Sequence, residues 1–174
     1  MRKTLTSLLI ATALIAASAA VANAATVTAS PGGNISATIR GVGFSGFLIS
    51  LFRCDVELGG SVSTGPIVLP GRGGSITSAR ITNCSPSHTV TPTGLPWTLT
   101  GQTALRCPST STGLLGVVAA SFSVDGIFST SGNIGTLVSS GRGTIALLRS
   151  SLSNGGVLLG GSGTYSPVNT IECT

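Results

Sequence analysis

The sequence contains very little charge: Lys, Arg, Asp and Glu together make up 7% of its 174 residues. Aromatic residues make up only 4%, and there is one histidine. Nucleic-acid-binding surfaces group basic residues and add stacking aromatics, so the scattered arginines here predict no nucleic-acid partner. After the N-terminal residues, no stretch reaches the roughly 18 uninterrupted apolar residues that a spanning helix needs. We therefore expect no transmembrane anchor.

Catalytic signatures are also scarce. His88 is the single histidine, and no serine lies in a G-x-S-x-G motif, which argues against a Ser-His-acid triad. Gly41 to Gly46 fit G-x-G-x-x-G, but strand-like residues follow where a phosphate-binding helix would have to begin. We therefore expect that the protein is not an enzyme and uses no cofactor.

The N-terminus has the three parts of a secretory signal peptide. Arg2 and Lys3 form a positive region, Leu5 to Ala20 an apolar region, and Ala22-Asn23-Ala24 a cleavage signature. We predict that residues 1–24 are a signal peptide, cleaved after Ala24, and that residues 25–174 form a single secreted β domain. That domain contains seven arginines, four acidic residues and no lysine.

The stretch around Cys54 and Cys84 predicts a long hairpin. From Cys54 to Val62 apolar residues fall at even positions and polar residues at most odd ones, which is the period of a half-buried strand. The midpoint between the two cysteines lies in a Pro/Gly-rich turn zone, so a chain that folds back there places them opposite each other. The apolar pattern on the return strand requires a bulge near Ser78.

Four cysteines in an exported chain of this size predict two disulfides. The hairpin favours Cys54 with Cys84, which leaves Cys107 to pair with Cys173 and tie down the C-terminus. A zinc site is the alternative, but no two cysteines have C-x₂₋₄-C spacing. We therefore expect no metal site.

The remainder of the chain is rich in glycine and β-branched residues, which disfavour helices and favour strands. Short strands separated by Gly/Pro turns predict an all-β fold, an antiparallel β-sandwich or a flattened barrel. The predicted strands are Thr26 to Ala29, Asn34 to Gly41, Phe47 to Leu58, Ser75 to Thr82, Trp97 to Thr103, Leu114 to Val124, Gly135 to Ser139, Thr144 to Ser151, and Val157 to Tyr165.

One segment resembles a known family. Cys84 is followed by a Ser/Thr/Pro loop and then by Gly94-Leu95-Pro96-Trp97-Thr98-Leu99-Thr100, with Cys54 upstream and the Cys107/Cys173 pair downstream. This arrangement resembles the bacterial activators of alkane oxidation, the Pra-type secreted proteins. The resemblance implies an exported, β-rich protein of the cell surface or biofilm matrix, associated with growth on hydrocarbons, with no established catalytic residues.

Two functions are consistent with these features. The first is a non-enzymatic extracellular structural or adhesive protein, which contacts cell-surface or matrix components and polymerises. The alternative is a binding protein for a hydrophobic, alkane-like or lipid-like ligand, held in a cavity beneath Trp97. Its candidate lining residues, which could equally be plain core, are Phe44, Phe47, Phe52, Phe122 and Phe128.

The polymerisation hypothesis depends on the mature N-terminus. Thr26, Val27, Thr28 and Ala29 alternate hydroxyl and small apolar side chains, and Pro31-Gly32-Gly33 separates them from the next strand. Such a segment suits a donor strand that pairs with the sheet edge of a neighbouring subunit. The alternative is that it is the first edge strand of its own sheet.

Overall fold

The computed structural model describes residues 26–46, 49–101 and 114–173. Within these ranges the only helical element is a short 3-10 turn, Ser153–Gly155, and no helix is long and apolar enough to cross a membrane. The strands are β1 (Thr26–Ser30), β2 (Gly33–Gly46), β3 (Ile49–Val62), β4 (Ile67–Val68), β5 (Gly71–Ser85), β6 (Val90–Thr93), β7 (Trp97–Gly101), β8 (Leu114–Val124), β9 (Phe128–Val138), β10 (Thr144–Leu147), β11 (Ser150–Ser151), β12 (Val157–Ser166) and β13 (Thr170–Cys173).

Eight strands form a closed antiparallel barrel in the order β10-β9-β8-β7-β5-β3-β2-β12. The barrel closes because β10 pairs with β12, with Thr144 opposite Thr164 and Leu147 opposite Gly161. β6 pairs with β8 beyond the end of β7, and β11 pairs with the start of β12. Closure satisfies the backbone groups that an open sheet would expose along its edges.

The all-β prediction is confirmed, and of its two forms the barrel is correct and the β-sandwich is wrong. Both architectures bury alternate side chains of each strand, so a period of two does not distinguish them. The deciding feature is the pairing of β10 with β12, which joins the two ends of one continuous sheet.

The predicted hairpin and its disulfide are present. β3 and β5 are antiparallel neighbours, and Cys54 is bonded to Cys84 with their Cα atoms 4.1 Å apart. Cys54 is buried, so the bond lies at the wall of the core rather than on the outer surface. The other predicted disulfide lies outside the description, because Cys107 and the side chain of Cys173 are not among the described parts of the chain.

The predicted bulge is also present, one residue away from the expected position. Gly59 lies opposite Ser78, whereas Gly60 lies opposite Ile76, so Thr77 is an extra residue on β5. An extra residue shifts the alternation of the strand by one, which changes the parity of the positions that face inward. The pattern conflict on the return strand is therefore resolved by the backbone.

A second sheet of three strands, in the order β13-β1-β4, packs against one end of the barrel. We call it the cap sheet. Its buried side chains include Val27 and Ala29 from β1, which alternate with more exposed neighbours along the strand. Val27, Ile67 and Ile171 form one apolar cluster with the barrel residue Val138. The cap sheet therefore has its own small core, which is continuous with the end of the barrel.

The candidate donor strand, Thr26 to Ala29, is the middle strand of the cap sheet. Ala29 lies opposite Ile171 on one side, and Val27 lies opposite Ile67 on the other. The structure thus places the segment within its own chain, paired on both sides rather than at a sheet edge. Polymerisation by strand exchange stays a prediction.

The Cys54–Cys84 bond closes a loop with a sequence separation of 30 residues. By the loop-entropy model, a Cys54→Ala/Cys84→Ala variant should lose about 3 to 4 kcal/mol of unfolding free energy, measured by denaturant titration. If the predicted Cys107–Cys173 bond is present, reduction of the wild type should cost more than this double substitution, because it opens that bond as well. Peptide mapping without reduction checks both pairs, and a peptide that joins Cys54 to Cys107 would contradict the pairing.

Candidate functional site

One half of the barrel interior is filled by aromatic side chains. The rings of Phe44 and Phe52 are stacked with their centroids 5.5 Å apart, and Phe122 meets Phe44 edge-on at 5.8 Å. Trp97 meets Phe122 edge-on at 5.2 Å. These are the separations and orientations that aromatic pairs prefer, so this half of the interior is well packed.

The structure does not place a ligand-sized cavity beneath Trp97, where the sequence led us to expect one. Trp97, Phe52 and Phe122 are buried core anchors, and the indole N–H of Trp97 donates to the Thr93 carbonyl at 2.7 Å. The two gaps among these aromatics measure about 20 and 10 Å³, and Phe128 lines the smaller one. Since one water needs about 10 to 15 Å³, neither gap can hold a ligand. Phe47 lies outside the described residues.

The larger cavity lies at the opposite end, between the barrel and the cap sheet. Its volume is about 80 Å³, and its walls are almost entirely aliphatic. The cap sheet contributes side chains from β1, β4 and β13, and all eight strands of the barrel contribute residues to the lining. The smallest residues in the lining are Ala29, Ala37, Gly73, Gly101 and Gly116.

The glycines in the lining differ in the room around them. A Cβ on Gly116 would lie 2.8 Å from Thr136 Oγ1 and 2.9 Å from Leu99 Cδ1, so no side chain fits there. A Cβ on Gly73 would meet nothing closer than Ile67 Cδ1 at 3.5 Å, an ordinary van der Waals distance. A side chain at Gly116 would therefore require its neighbours to move, whereas Gly73 has room for a methyl group.

Two polar side chains in the lining bind each other. The hydroxyl of Tyr165 lies 2.7 Å from Asn169 Oδ1 and 3.1 Å from the carbonyl oxygen of Ser139, so it can donate to either acceptor. Burial raises the pKa of the Tyr165 phenol above its usual value of 10.0, and a hydrogen bond with the backbone of Asn169 partly opposes the shift. Among the described residues, no charged side chain lines the cavity.

A third polar side chain, Thr136, also lines the cavity. Thr136 lies on β9 opposite Gly116 and Leu147, and it is 2% exposed. Its hydroxyl is the only buried side-chain oxygen or nitrogen in the described ranges that has no hydrogen-bond partner. The mostly aliphatic lining therefore includes a threonine whose buried hydroxyl is unpaired.

Asp55 lies outside the cavity and has a structural role. Its carboxylate accepts hydrogen bonds from Asn83 Nδ2 at 3.0 Å and from the Gly41 N–H at 3.2 Å, and Arg40 lies 3.4 Å away. The bond from Asn83, followed by the bond from Gly41 and the charge of Arg40, lowers the pKa of Asp55. Because these partners come from β2 and β5 on either side of β3, the carboxylate links three neighbouring strands.

His88 contacts a carboxylate rather than a serine hydroxyl that could serve as a nucleophile. Its Nδ1 lies 2.8 Å from Asp125 Oδ2, and its ring packs against Phe52 with the centroids 4.5 Å apart. Asp125 also accepts the Thr89 N–H at 2.7 Å, and this bond, followed by the one from His88, lowers the pKa of Asp125. In the described part of the chain no hydrogen bond joins His88 to a serine. The pair ties the loop before β6 to the β8–β9 turn.

These features define a class of small protein: a closed eight-stranded antiparallel barrel with an aliphatic cavity beneath a cap sheet. The chain belongs to the alkane oxidation protein activator PraA/PraB-like family, whose model matches residues 1–174. The resemblance found in the segment around Leu95-Pro96-Trp97 is thereby confirmed. No curated protein and no solved structure matches the chain.

Sequence reasoning missed the residues that form the cavity. It selected the large aromatics as candidate ligand contacts, whereas the larger cavity is lined by aliphatic, alanine and glycine residues from separate strands. Two signals pointed to this end of the barrel. Tyr165 is the only tyrosine, and Thr136 is a polar residue that shares the face of Ile134 and Val138 along β9.

The raised pKa of Tyr165 predicts how stability depends on pH. The unfolded phenol ionises near pH 10, whereas the folded phenol keeps its proton to a higher pH. Stability should therefore be intact below about pH 10 and fall as the pH rises through the folded pKa. Ultraviolet titration of the single tyrosine should give a pKa above 10, and Tyr165→Phe should remove this part of the alkaline loss. Equal alkaline loss in both proteins would contradict the prediction.

Proposed function

We propose that the protein is a non-enzymatic binding protein, which holds the alkyl part of a hydrocarbon or lipid-like ligand in the cavity under the cap sheet. The observation that carries the proposal is about 80 Å³ of space inside aliphatic walls. The interior of an eight-stranded barrel is either filled by side chains or wide enough for one small ligand. In this barrel the aromatic half is filled and the aliphatic half is open.

The chemistry of the lining favours alkyl groups over water. A buried water needs two to four polar partners, and the lining has only three polar side chains, of which Tyr165 and Asn169 bind each other. Transfer of a methylene group from water to an apolar site is favourable by about 0.8 kcal/mol. An alkyl chain would therefore fill the space at a gain in free energy, while a water molecule there would lack partners.

The size of the cavity limits the ligand. It is smaller than the engineered cavity of about 150 Å³ that binds benzene in another protein. The observed packing therefore accepts a short alkyl chain or the end of a longer one. A longer chain would require the cap sheet to move, because β1, β4 and β13 form one wall.

Family membership supports the same function. The description of the family names alkane oxidation, and alkanes are molecules that an aliphatic cavity without charged groups would select. The proposed contribution to alkane oxidation is to hold the hydrocarbon rather than to transform it. In residues 26–46, 49–101 and 114–173 we find no specific contact that favours a structural or adhesive function at the cell surface or in a matrix.

Export is part of the proposal. The Cys54–Cys84 disulfide is typical of proteins in oxidising compartments outside the cytosol, which supports secretion. Intact-mass measurement of the protein recovered from the medium or cell surface should give a chain that begins at Ala25. Recovery of the full-length chain from the cytosol alone would contradict both the export and the cleavage site.

A series of n-alkanes tests the binding function. Each added methylene should raise the affinity about fourfold until the cavity is full, after which the gain should stop. Binding is measured as the rise in unfolding free energy with ligand concentration. Failure of every alkane in the series to stabilise the protein would overturn the proposal.

A pair of glycine substitutions supplies the control. Gly73→Ala adds a methyl group that projects into the cavity, and it should lower alkane affinity or shorten the longest chain accepted by about one methylene. Gly65→Ala adds the same methyl group outside the lining, where no atom lies within 4 Å, and it should leave binding unchanged. Equal effects of the two substitutions would place the bound alkane somewhere other than this cavity.

A further inference from the structure

If the proposed function is correct, the unpaired hydroxyl of Thr136 indicates which chemical class of ligand the cavity binds. Thr136 is one of the residues that line the cavity, and its Oγ1 is buried without a hydrogen-bond partner in the described ranges. A buried hydroxyl without a partner has lost its hydrogen bonds to water and gained none in return, which is destabilising. Native proteins seldom keep such a group unless something outside the protein satisfies it.

Among the described residues, the side chains opposite Thr136 provide no hydrogen-bond partner for its hydroxyl. On the neighbouring strand, Gly116 has no side chain that could reach the hydroxyl, and on the other side Leu147 is apolar. The other polar groups in the lining, Tyr165 and Asn169, are bonded to each other. Because these side chains give Thr136 no partner, a molecule in the cavity is the partner that we test.

We propose that the ligand is an oxygenated aliphatic molecule, a primary alcohol, whose hydroxyl bonds to Thr136 while its alkyl chain contacts the aliphatic walls. A threonine hydroxyl has one donor and two acceptor sites, so it can give a hydrogen bond to an alcohol or receive one from it. An alkane would fill the same space and leave Thr136 unpaired. Thr136 is then the residue that distinguishes an alcohol from a hydrocarbon.

A carboxylate fits this cavity less well than an alcohol. No arginine, lysine or histidine is in the lining that the structure describes, so a buried negative charge would have no counter-ion. Removing an unpaired carboxylate from water is far more costly than removing a hydroxyl. A fatty acid would therefore have to bind in its protonated form, and its affinity should fall as the pH rises.

Three small ligands and three variants test the assignment. n-Butanol and n-pentane match in length when the alcohol oxygen is counted with the carbons. Butanoate adds a negatively charged carboxylate. Thr136→Val removes the hydroxyl and keeps the shape, whereas Thr136→Ser keeps the hydroxyl. The matched control is Thr130→Val on the same strand, because the Thr130 hydroxyl is buried but donates to the Ser153 carbonyl at 2.7 Å.

The affinity for n-butanol relative to n-pentane should be about threefold to tenfold greater in the wild type than in Thr136→Val. Thr136→Ser should restore the ratio, Thr130→Val should leave it unchanged, and butanoate should bind weakly at neutral pH. In the absence of ligand, Thr136→Val should keep or raise the melting temperature, since it removes an unpaired group. Thr130→Val should lower it, since it breaks a hydrogen bond.

The possible failures are distinguishable. If the wild type binds both n-butanol and n-pentane and Thr136→Val does not alter their ratio, the alcohol assignment is wrong and the cavity remains a hydrocarbon site. If neither compound binds, the proposed function fails as well. A melting temperature that Thr136→Val lowers as much as Thr130→Val would show that the Thr136 hydroxyl already has a partner, which also overturns the assignment.

Discussion

The pairing of β10 with β12 is the contact on which the rest of the structure depends. It turns one long antiparallel sheet into a ring, and thereby removes both edges of that sheet. Closure also fixes the interior, because a ring of eight strands encloses a space of nearly constant width. Whether a given level of that space is full or open then depends only on the size of the side chains that point into it.

The side chains that point inward are divided by size between the two ends. Phe44, Phe52, Phe122 and Trp97 occupy one level and leave gaps no larger than about 20 Å³. Aliphatic side chains, together with glycines and alanines, line the other level, and the cap sheet supplies the apolar side chains that cover it. A well-packed core at one end offsets the contacts that are missing at the other, since unfilled space forfeits dispersion contacts.

The sequence was sufficient to predict the local features of the fold, such as the hairpin and its bulge. It was insufficient to predict the closed barrel and its cavity. The period of two, the turn zone and the symmetric position of Cys54 and Cys84 predict the β3–β5 hairpin, because all three signals lie within about one supersecondary unit. The bulge at Thr77 was recoverable too, since a one-residue slip leaves a visible conflict in the apolar pattern.

The barrel and its cavity depend on contacts that no local pattern encodes. β2 pairs with β12, and β1 pairs with β13, across almost the whole length of the chain. The open space arises where small residues from separate strands meet at one level, and each of those residues taken alone resembles an ordinary turn or strand glycine. The aromatic residues were the more conspicuous candidates, and for the same reason they are the ones that fill the core.

The position of β1 connects the ligand hypothesis with the polymerisation hypothesis. Val27 and Ala29 wall the cavity while the backbone of β1 pairs with β4 and β13, so the same segment covers the site and holds the cap sheet together. If β1 left its own domain to pair with a neighbouring subunit, the cavity would lose one wall unless an identical strand replaced it. A ligand that contacts this wall stabilises the arrangement with β1 in place, and by linkage the release of β1 must weaken ligand binding to the same degree. An exchange in which each subunit receives a β1 from its neighbour is the one form of polymer that would preserve the cavity.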